Sequence, residues 1–442
     1  MEGVGLFGQK IILTAEPKIV QAVLATKFKD FETGARRRGQ FGALLGYSIF
    51  TSDGDFWAHS RALFRPVFSR ESINDLEETE RASRILMDVL PMDGNCTERV
   101  DLMPYFYRFT LDTATAFLFG ETTDSQLAAA GRLGGAEKSG VTSMAADQEF
   151  ADAFTVAQEW VINRLRVQQL YWLLWSPRWA KAVATVRNFV NQYVKIALEQ
   201  DIDPKQAESG DGDKYNILHE LVKDTRDPIE LRDQILALLA AGRDTTAVLL
   251  SWTFMHLSQN PTIFQSLRSQ ILQDFGTSST SKITFSQLKS CRQIQWVLNE
   301  TLRVNPVVPV NNRVAVRNTV LPVGGGEDST KPLAVRKGQM INFVPYQIQR
   351  RKDLWGEDAD VWRPDRWDGK KIDWSFVPFS GGPRICLGQQ YAITEASFLV
   401  VRMLQEFDDI EWLGKPGKVK KGLGLTMFPA EGVPVRLRKA SL

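Results

Sequence analysis

The stretch FSGGPRICLG, residues 379–388, puts a single cysteine in an unusual chemical setting. Gly381-Gly382-Pro383 predicts a tight turn, because glycine reaches backbone conformations closed to other residues and proline fixes its own φ. Cys386 follows that turn and comes just before a long run with helical periodicity. A cysteine at a helix start faces the positive end of the helix dipole, which favours the thiolate. The stretch therefore predicts a thiolate at Cys386.

Two neighbours of Cys386 indicate what such a thiolate would bind. Gly388 has no side chain, so a bulky planar group could approach the backbone closely there. Arg384 offers a planar fork of donors that suits carboxylates. A thiolate, a flat approach surface and a carboxylate clamp together predict a haem held by an axial cysteine. For Cys386 taken alone, a buried free cysteine in a glycine-rich turn is the favoured alternative, and the neighbours reverse that preference.

The second candidate is AGRDTT, residues 241–246, inside the most apolar predicted helix. Gly242 costs about 1 kcal/mol in a helix interior, and Asp244 is unfavourable at a buried position. The two threonines can bond back to the preceding turn and bend the helix. These locally unfavourable choices predict a functional site, with a groove for a small ligand and an acid and a hydroxyl that relay protons. The alternative, a capping signal in a coil, conflicts with the helical pattern that precedes it.

A third candidate is NETLRV, in which Glu300 and Arg303 stand three apart on one helical face. A surface ion pair is the common interpretation of that spacing. The position between an apolar run and Pro306 favours a buried pair, and Arg366 in RPDRW could complete a charged triad. Such pairs contribute little stability but can fix geometry.

The composition limits the other possibilities. The chain has 442 residues and a net charge of +2, which gives no global field suited to nucleic acid. The cysteines and histidines are too scattered for a disulfide framework, a zinc site or a histidine-based metal centre. They are Cys96, Cys291, Cys386, His59, His219 and His256. No segment has the roughly eighteen apolar residues of a spanning helix, and the N-terminus lacks the pattern of a signal peptide. We expect a reducing compartment.

The elements around these motifs are mostly helical. Apolar residues at three- and four-residue spacing predict helices over KIVQAVLATKF, DGDFWAHSRALFRPVF, FYRFTLDTATAFLFG and EWVINRLRVQQLYWLLW. Further helices are predicted from Pro228 to Leu257, over FSQLKSCRQIQWVLNETLRV and over QQYAITEASFLVVRMLQEF. NNRVAV, TVLPV and QMINFVPY predict strands, GGGEDSTKP a turn and KQAESGDGDK, residues 205–214, an exposed loop. The predicted fold class is mainly α with a minor β region, in a single domain over residues 1–442.

Together these residues resemble the cytochrome P450 family of haem-thiolate monooxygenases. FSGGPRICLG is similar to the family's Phe-x-x-Gly-x-Arg-x-Cys-x-Gly loop, AGRDTT to its oxygen-activation motif and NETLR to its Glu-x-x-Arg pair. PDRW, residues 364–367, is similar to its Pro-Glu-Arg-Phe segment, with Asp365 in place of the usual Glu, and Trp57-x-x-x-Arg61 to its Trp-x-x-x-Arg helix. The motifs keep the family's order over residues 57–388. The resemblance implies the cytochrome P450 fold, a large helical domain around a buried haem with a small β-rich part.

The resemblance also implies how a haem b would be held. Cys386 is expected to be the axial thiolate ligand, and Phe379 is expected to pack beside it and tune the iron. Gly382 and Gly388 are expected to shape the loop against the cofactor. The residues expected to contact the haem propionates are Trp57, Arg61, Arg313 and Arg384.

Two further sets carry expected roles. One set would lock the haem-binding core, and it comprises Glu300, Arg303 and Arg366. The other set serves oxygen activation: Thr245 and Asp244 would deliver protons, and Gly242 would leave room for the oxygen molecule.

The implied reaction inserts one atom of O2 into a C–H bond, and the thiolate favours O–O cleavage by donating electron density to iron. We expect the electrons to come from a separate NADPH–cytochrome P450 reductase. Two basic patches could dock an acidic partner, although such charges more often solvate turns. They are Lys418, Lys420 and Lys421, and Arg350, Arg351 and Lys352.

Within the family, GRDTTA, NETLR, FSGGPRICLGQQYAITEAS and RDPIELRDQ resemble the fungal alkane and fatty-acid terminal hydroxylases. This implies a long apolar substrate hydroxylated near its end. The candidate pocket residues are Leu239, Val307, Val308, Val310, Met427 and Phe428. The alternative is the tailoring of a polyketide or terpenoid in fungal secondary metabolism. Two rivals are a peroxide-rearranging isomerase or dehydratase, against which Asp244-Thr245 argues, and a truncated, non-catalytic haem-binding remnant.

Eukaryotic members of the family usually begin with a membrane anchor, a proline-rich hinge and a first helix. We expect this chain to lack them and to start within the first β element, at VGLFGQKIILTAEP. The resemblance implies the cytosolic face of the endoplasmic reticulum membrane, and a chain without the anchor would be cytosolic. The expected partners are an apolar small molecule, O2 and the reductase, with no nucleic acid, and the expected state is a monomer.

Overall fold

The computed structural model of this chain describes most of its length. The described residues are 2–4, 10–68, 75–132, 144–200, 217–277, 281–417 and 419–441. The loop predicted at 205–214 and the residue Lys418 lie outside them.

Helices dominate the described residues. In chain order they are α1 (Pro17–Gln21), α2 (Ala35–Leu45), α3 (Gly54–Phe64), α4 (Glu77–Asp88), α5 (Leu102–Phe119), α6 (Ser125–Ala129), α7 (Met144–Arg166), α8 (Pro177–Gln200), α9 (Ile217–Asp224), α10 (Pro228–Gln259), α11 (Pro261–Phe275), α12 (Phe285–Ser290), α13 (Arg292–Val304), α14 (Pro345–Ile348), α15 (Lys352–Trp355) and α16 (Gln389–Glu406). A π-helical turn, Ala22–Thr26, continues α1.

The β structure is smaller and lies mainly in the second half of the chain. The strands are β1 (Glu2–Val4), β2 (Lys10–Thr14), β3 (Phe31–Glu32), β4 (Met92–Asp93), β5 (Cys96–Thr97), β6 (Val100–Asp101), β7 (Asn311–Ala315), β8 (Thr319–Gly325), β9 (Lys331–Val335), β10 (Met340–Phe343), β11 (Phe407–Trp412), β12 (Lys421–Leu423), β13 (Met427–Pro429) and β14 (Pro434–Lys439). The largest described sheets have the orders β1-β2-β10-β7-β3 and β11-β14-β5-β4, and β12-β13 and β8-β9 form separate pairs. The mainly helical prediction with a minor β region is confirmed.

The predicted long core helix is present as α10. The Asp227 side chain accepts a hydrogen bond from the backbone N–H of Ile229 at 2.9 Å, which caps the helix start, and Pro228 occupies its first turn. Asn260 and Pro261 end the helix and begin α11. The helix continues through AGRDTT without a break, so the alternative of a coil with a misplaced capping signal is wrong.

Two of the predicted helices end earlier than their periodicity suggested. The helix predicted over residues 285–304 breaks at Cys291, whose buried side chain sits on an extended backbone between α12 and α13. The helix predicted through residue 175 ends at Arg166, and a 3₁₀ turn, Gln168–Leu173, follows it. The Gln40 side-chain amide donates to the carbonyl of Arg164, in the last turn of the helix, and to that of Gln168, at the start of the 3₁₀ turn.

The central helix α10 belongs to two separate hydrophobic clusters. Its first half, including Leu231 and Leu239, packs with α5, α7 and α8, whereas its second half, from Ala247 to Leu257, packs with α11, α13 and α16. Residues 240–245 lie between the clusters and are only partly buried. By length and composition α10 could cross a membrane, but most of it is buried inside this fold. The AGRDTT motif therefore lies where the hydrophobic core is interrupted, between the two clusters.

The Glu300–Arg303 pair is fully buried on α13. Its two hydrogen bonds join Arg303 Nε to Glu300 Oε2 at 2.8 Å and Arg303 Nη2 to Glu300 Oε1 at 2.7 Å, and neither side chain has exposed surface. The remaining three N–H groups of the guanidinium donate to the carbonyls of Gln349, Ala359 and Val361 at 2.5–3.0 Å. All five donors of Arg303 therefore have acceptors.

Glu300 binds the chain that leads towards the cysteine loop. Its carboxylate accepts hydrogen bonds from Arg366 Nε at 3.2 Å, from the backbone N–H of Arg363 at 2.9 Å and from Trp367 Nε1 at 3.0 Å. The charged triad that the sequence suggested is thus formed, and it fixes the irregular segment 359–367 against α13.

We predict that Arg303→Leu lowers the free energy of unfolding by about 3–5 kcal/mol, because the buried Glu300 carboxylate loses its bidentate partner and keeps only Arg366 as a cation, at 3.2 Å. The control is Arg363→Leu, which removes half-exposed ion pairs with Asp358 at 3.1 Å and Asp365 at 3.3 Å and should cost about 1 kcal/mol at most. Urea denaturation of both variants measures the difference. Equal losses in the two variants would contradict the assigned weight of the buried pair.

Candidate active site

The cysteine loop closes on itself through backbone hydrogen bonds. The N–H of Cys386 donates to the carbonyl of Phe379 at 3.0 Å, and the N–H of Ile385 donates to the carbonyl of Gly382 at 3.1 Å. Gly382 has a φ of +64°, and a Cβ there would lie 1.9 Å from the carbonyl oxygen of Leu24. Gly382 therefore packs the loop against the π-helical turn, on the protein side of the loop.

The Cys386 side chain stands three residues before the first residue of α16 and is exposed to a space lined by protein. Burial among protein atoms raises the pKa of its thiol, whereas a hydrogen bond from the backbone of Gly388 and the charge of Arg61 act in the opposite direction. Arg61 also donates to the carbonyl of Ile385 at 3.0 Å, which ties α3 to the loop. The sulfur is thus presented from a fixed loop, with a cation beside it.

Arg384 and Arg61 converge on Trp57. The guanidinium of Arg384 lies 4.3 Å from the centre of the Trp57 ring, and that of Arg61 lies 6.0 Å from it. Arg384 also forms an ion pair with Asp53 at 2.6 Å and donates to the carbonyl of Ser52 at 3.1 Å. The structure thus brings three of the expected propionate contacts into one cluster.

The fourth expected contact, Arg313, joins the same cluster, and so does Arg37, which the sequence analysis missed. Burial and the charges of Arg37 and Arg384 lower the pKa of Arg313 to about 9. Burial lowers the pKa of Arg384 to about 10, with the nearby charge of Asp53 opposing that change and Arg37 and Arg61 adding to it. These arginines are largely shielded from water and their positive charges repel one another, and both effects disfavour the charged form. The cluster is therefore a site for anionic groups.

The oxygen-activation motif lies on the partly accessible stretch of α10. The Thr245 hydroxyl donates to the carbonyl of Ala241 at 2.7 Å, the back-bond that the sequence suggested. Asp244 accepts a hydrogen bond from the Gln158 side chain at 2.8 Å, and burial raises the pKa of its carboxyl. At Gly242, an added Cβ would meet only Ala114, at 3.8 Å. The segment combines an acid, a hydroxyl and free space.

The candidate pocket residues fall into two groups. The Met427 N–H donates to the Val307 carbonyl at 2.9 Å, and both side chains are buried. Val308 and Phe428 are partly buried and pack on the same cluster. The remaining two candidates differ: Leu239 has no exposed surface, and Val310 is 48% exposed. The structure thus joins the chain at Val307 to the chain at Met427, and it gives Leu239 no accessible surface from which to line a pocket.

These residues fit a haem. The sulfur of Cys386 faces accessible space and would ligate the iron, and the Arg313 Nε is buried without a hydrogen-bond partner in the described part of the chain. The arginines around it would bind the two carboxylates. At Gly388 an added Cβ would make only an ordinary contact with Phe68, at 3.6 Å, so the protein leaves room there for a flat group. The donor set is a soft thiolate with an anion-binding cluster, which suits this cofactor.

A buried polar cluster behind α10 was missed by the sequence analysis. Glu395 on α16 has almost no exposed surface and accepts a hydrogen bond from the Thr113 hydroxyl of α5 at 2.5 Å. Burial raises the pKa of Glu395 to about 7, against the opposing effect of hydrogen bonds from Thr113 and Thr246. Tyr391 shares the cluster through Thr113. The only signal in the sequence was a lone acidic residue in an apolar helical run.

Comparison with known proteins relates the chain to one protein family over nearly its whole length. The sequence profile of the family described as cytochrome P450 matches residues 3–427. Cytochrome P450 monooxygenase g430 from a Fusarium species is 43% identical over 437 residues, which cover 98% of this chain and 76% of that protein. Cytochrome P450 52A1 from Candida tropicalis is 42% identical over 451 residues, which cover 98% of this chain and 79% of that protein.

The solved structures agree on the fold. The crystal structure of the cytochrome P450DA haem domain matches 99% of this chain and 89% of its own, with a TM-score of 0.78 and 19% identity. At that identity the likeness concerns the fold, and it confirms the cytochrome P450 fold implied by the motifs.

We predict that Glu395→Gln flattens the pH dependence of stability between pH 4.5 and 7. In the folded protein the carboxyl pKa is raised from its ordinary value of 4.5 to about 7. The stability that this group contributes is therefore full below pH 4.5 and is lost as the pH rises through 7, by about 3 kcal/mol. Urea denaturation at pH 5, 6, 7 and 8 checks this against Glu159→Gln, which alters an exposed side chain. Parallel curves for wild type and Glu395→Gln would contradict the prediction.

Proposed function

Because the chain belongs to the cytochrome P450 family of monooxygenases, we propose that its substrate is a long-chain alkane or fatty acid, hydroxylated near its apolar end. The observation that supports this proposal is a Cys386 sulfur in accessible space beside an arginine cluster, in a fold whose AGRDTT segment is partly accessible and lies between two apolar clusters. The family's haem iron cofactor is taken here to be haem b, bound by the residues described above.

When bound, the haem supplies activation of O2 and insertion of one oxygen atom into a C–H bond. The protein residues bind, orient and move protons. Cys386 would hold the iron as a thiolate, which Arg61 and the Gly388 N–H favour electrostatically. Arg37, Arg313 and Arg384 would fix the orientation of the cofactor through its carboxylates.

The protons would come from the α10 segment. Burial raises the pKa of the Asp244 carboxyl, which favours the protonated form that a proton donor needs. Thr245 presents a hydroxyl one residue further along the helix, and at present it donates to Ala241. Val307 and Met427 are buried apolar side chains, and they would keep water away from a hydrocarbon end bound beside them.

Electron supply requires a redox partner, and we assign a separate NADPH-dependent reductase acting on a monomer. The two basic patches suggested by the sequence are weak docking candidates, because most of their described cations are paired with carboxylates, and Lys421 instead donates to the Tyr346 hydroxyl at 2.9 Å. The pairs are Arg350 with Asp360, Arg351 with Glu16 and Asp353, Lys352 with Glu357, and Lys420 with Glu431. The outer side of the cysteine loop, where Ile385 and Arg65 are exposed, is better placed because it is next to the sulfur.

We place the enzyme on the cytosolic face of the endoplasmic reticulum membrane. The supporting feature is an exposed apolar surface on the segment between α7 and α8. Trp172, Leu173 and Trp175 are 65%, 58% and 63% exposed there. Exposed tryptophan side chains suit a membrane interface, because the apolar part of the indole can contact lipid while its N–H group contacts water.

We predict that the purified protein, supplied with haem and a NADPH-dependent reductase, consumes NADPH when given hexadecane or palmitate and forms a product hydroxylated near the chain end. Its reduced carbon monoxide complex should show the strongly red-shifted Soret band of thiolate-ligated haem. Cys386→Ala should lose both the band and the product, because the thiolate ligand is gone.

The matched control is Cys96→Ala, which removes a free cysteine elsewhere and should leave both signals unchanged. A polycyclic terpenoid serves as the competing substrate class. Product from the terpenoid and none from hexadecane or palmitate would overturn the substrate assignment, whereas a persisting band in Cys386→Ala would overturn the ligand.

We predict that the double variant Trp172→Ser with Trp175→Ser loses most of its co-flotation with phospholipid vesicles. The reason is that two exposed indoles would no longer enter the interface. Ile372→Ser is the control, because Ile372 is equally exposed but stands apart from this segment. Unchanged flotation of the double variant would show that another surface contacts the membrane.

A further inference from the structure

One side chain connects α7 to the acid of the oxygen-activation motif. The Gln158 amide nitrogen donates to Asp244 Oδ2 at 2.8 Å, and its amide oxygen accepts a hydrogen bond from Arg243 Nη1 at 3.0 Å. Because Arg243 can only donate, the Gln158 oxygen must face it, and the Gln158 NH2 group must face Asp244. The orientation of the amide is thus set by Arg243.

Arg243 is itself held from two neighbouring helices. It donates to the Thr155 hydroxyl of α7 at 3.1 Å. Its guanidinium lies 5.5 Å from the ring centre of Phe154 on α7 and 5.6 Å from that of Tyr107 on α5. The guanidinium therefore has little freedom to turn from Gln158 towards Asp244, although one of its nitrogens is 3.7 Å from Asp244 Oδ1.

The second carboxylate oxygen of Asp244 is left open. Oδ1 is buried and has no hydrogen-bond partner within the described residues. The charged and titratable groups that face this carboxyl are Arg243 on its own helix and Tyr107 on α5, and Tyr107 in turn bonds to Thr426. Gln158 brings no charge of its own. It is thus a neutral donor to one oxygen, and the other oxygen remains available for a proton.

We propose that Gln158 is a positioning residue for proton delivery: it holds the Asp244 carboxyl in one orientation and stabilises the carboxylate left when the proton departs. The proposal rests on the monooxygenase function given above. In the step, the Asp244 O–H bond breaks, a new O–H bond forms to the Thr245 hydroxyl oxygen, and Thr245 releases its own hydroxyl proton to the proton acceptor in the site. The negative charge that remains is shared with the Gln158 N–H and with Arg243, until solvent water returns a proton.

The position of α7 therefore enters the chemistry. Because Gln158 lies on α7 and Asp244 on α10, a displacement that separates the two helices at this point lengthens the hydrogen bond. Burial would then act on Asp244 without its neutral donor, and the carboxyl would keep its proton more strongly. The packing of α7 against α10 and the pKa of Asp244 are therefore linked through the Gln158 amide.

The test is Gln158→Glu, which keeps the size of the side chain but replaces the donor with a second carboxyl. Losing a hydrogen bond to a charged group costs about 1.5–3 kcal/mol, so we expect the titration of the Asp244 pair to move up by about one to two pH units. The first readout is the infrared carboxyl band of the substrate-free protein between pH 4 and 9, with Asp244→Asn to assign it. The second is the pH profile of the share of NADPH that yields product rather than peroxide.

Gln148→Glu is the matched control, because Gln148 also lies on α7 and donates to an aspartate, Asp152, at 3.1 Å, but at an exposed site. It should leave the Asp244 band in place. If Gln158→Glu fails to fold, Gln158→Met also removes the donor and should shift the band in the same direction. An Asp244 band that titrates as in wild type in the folded variant would overturn the proposal. A shifted band without any hydroxylated product would instead retain the Gln158 role and reject the function.

Discussion

A guanidinium with no access to water is the constraint on which the rest of this structure depends. Arg303 is charged at every physiological pH, so each of its five N–H groups needs an acceptor from the protein. Two acceptors come from Glu300 and three from the carbonyls of Gln349, Ala359 and Val361, which lie on either side of the short helix α15. None of these three residues belongs to a helix or strand. The Arg303 guanidinium on α13 holds these residues in place instead. The chain then leads on from this fixed segment towards Cys386.

The arginine cluster around the Cys386 sulfur differs from Arg303, because its positive charges are not all matched by acceptors in the protein. Arg303 has all its partners, whereas Arg313 and Arg384 lie near other cations and are held below their ordinary pKa values. Asp53 neutralises only part of the positive charge of these arginines. A site built in this way gains stability when a ligand brings carboxylates, so binding of the cofactor and stability of the fold are coupled.

The features visible in the sequence are those with short-range causes. The turn before Cys386, the capping of α10 by Asp227 and the spacing of Glu300 and Arg303 each depend on residues a few positions apart. Gln158 and Asp244 are separated by 86 positions, and Thr113 and Glu395 by 282, so no local pattern announces either contact. Arg37 was missed because a run of three arginines is typical of a solvated stretch. The break at Cys291 was missed because the apolar periodicity continues across it.

Two of the three glycines in the cysteine loop, Gly382 and Gly388, are expected to respond differently to substitution. At Gly382 a methyl group would collide with the backbone of Leu24, whereas at Gly388 it would meet only the edge of Phe68. In a library with all amino acids at both positions, clones altered at 382 would be lost during folding, before any cofactor is needed. An alanine at 388 would make only an ordinary contact, so that clone is expected to yield folded chain. Position 388, rather than 382, is where a laboratory selection could reshape the cofactor environment.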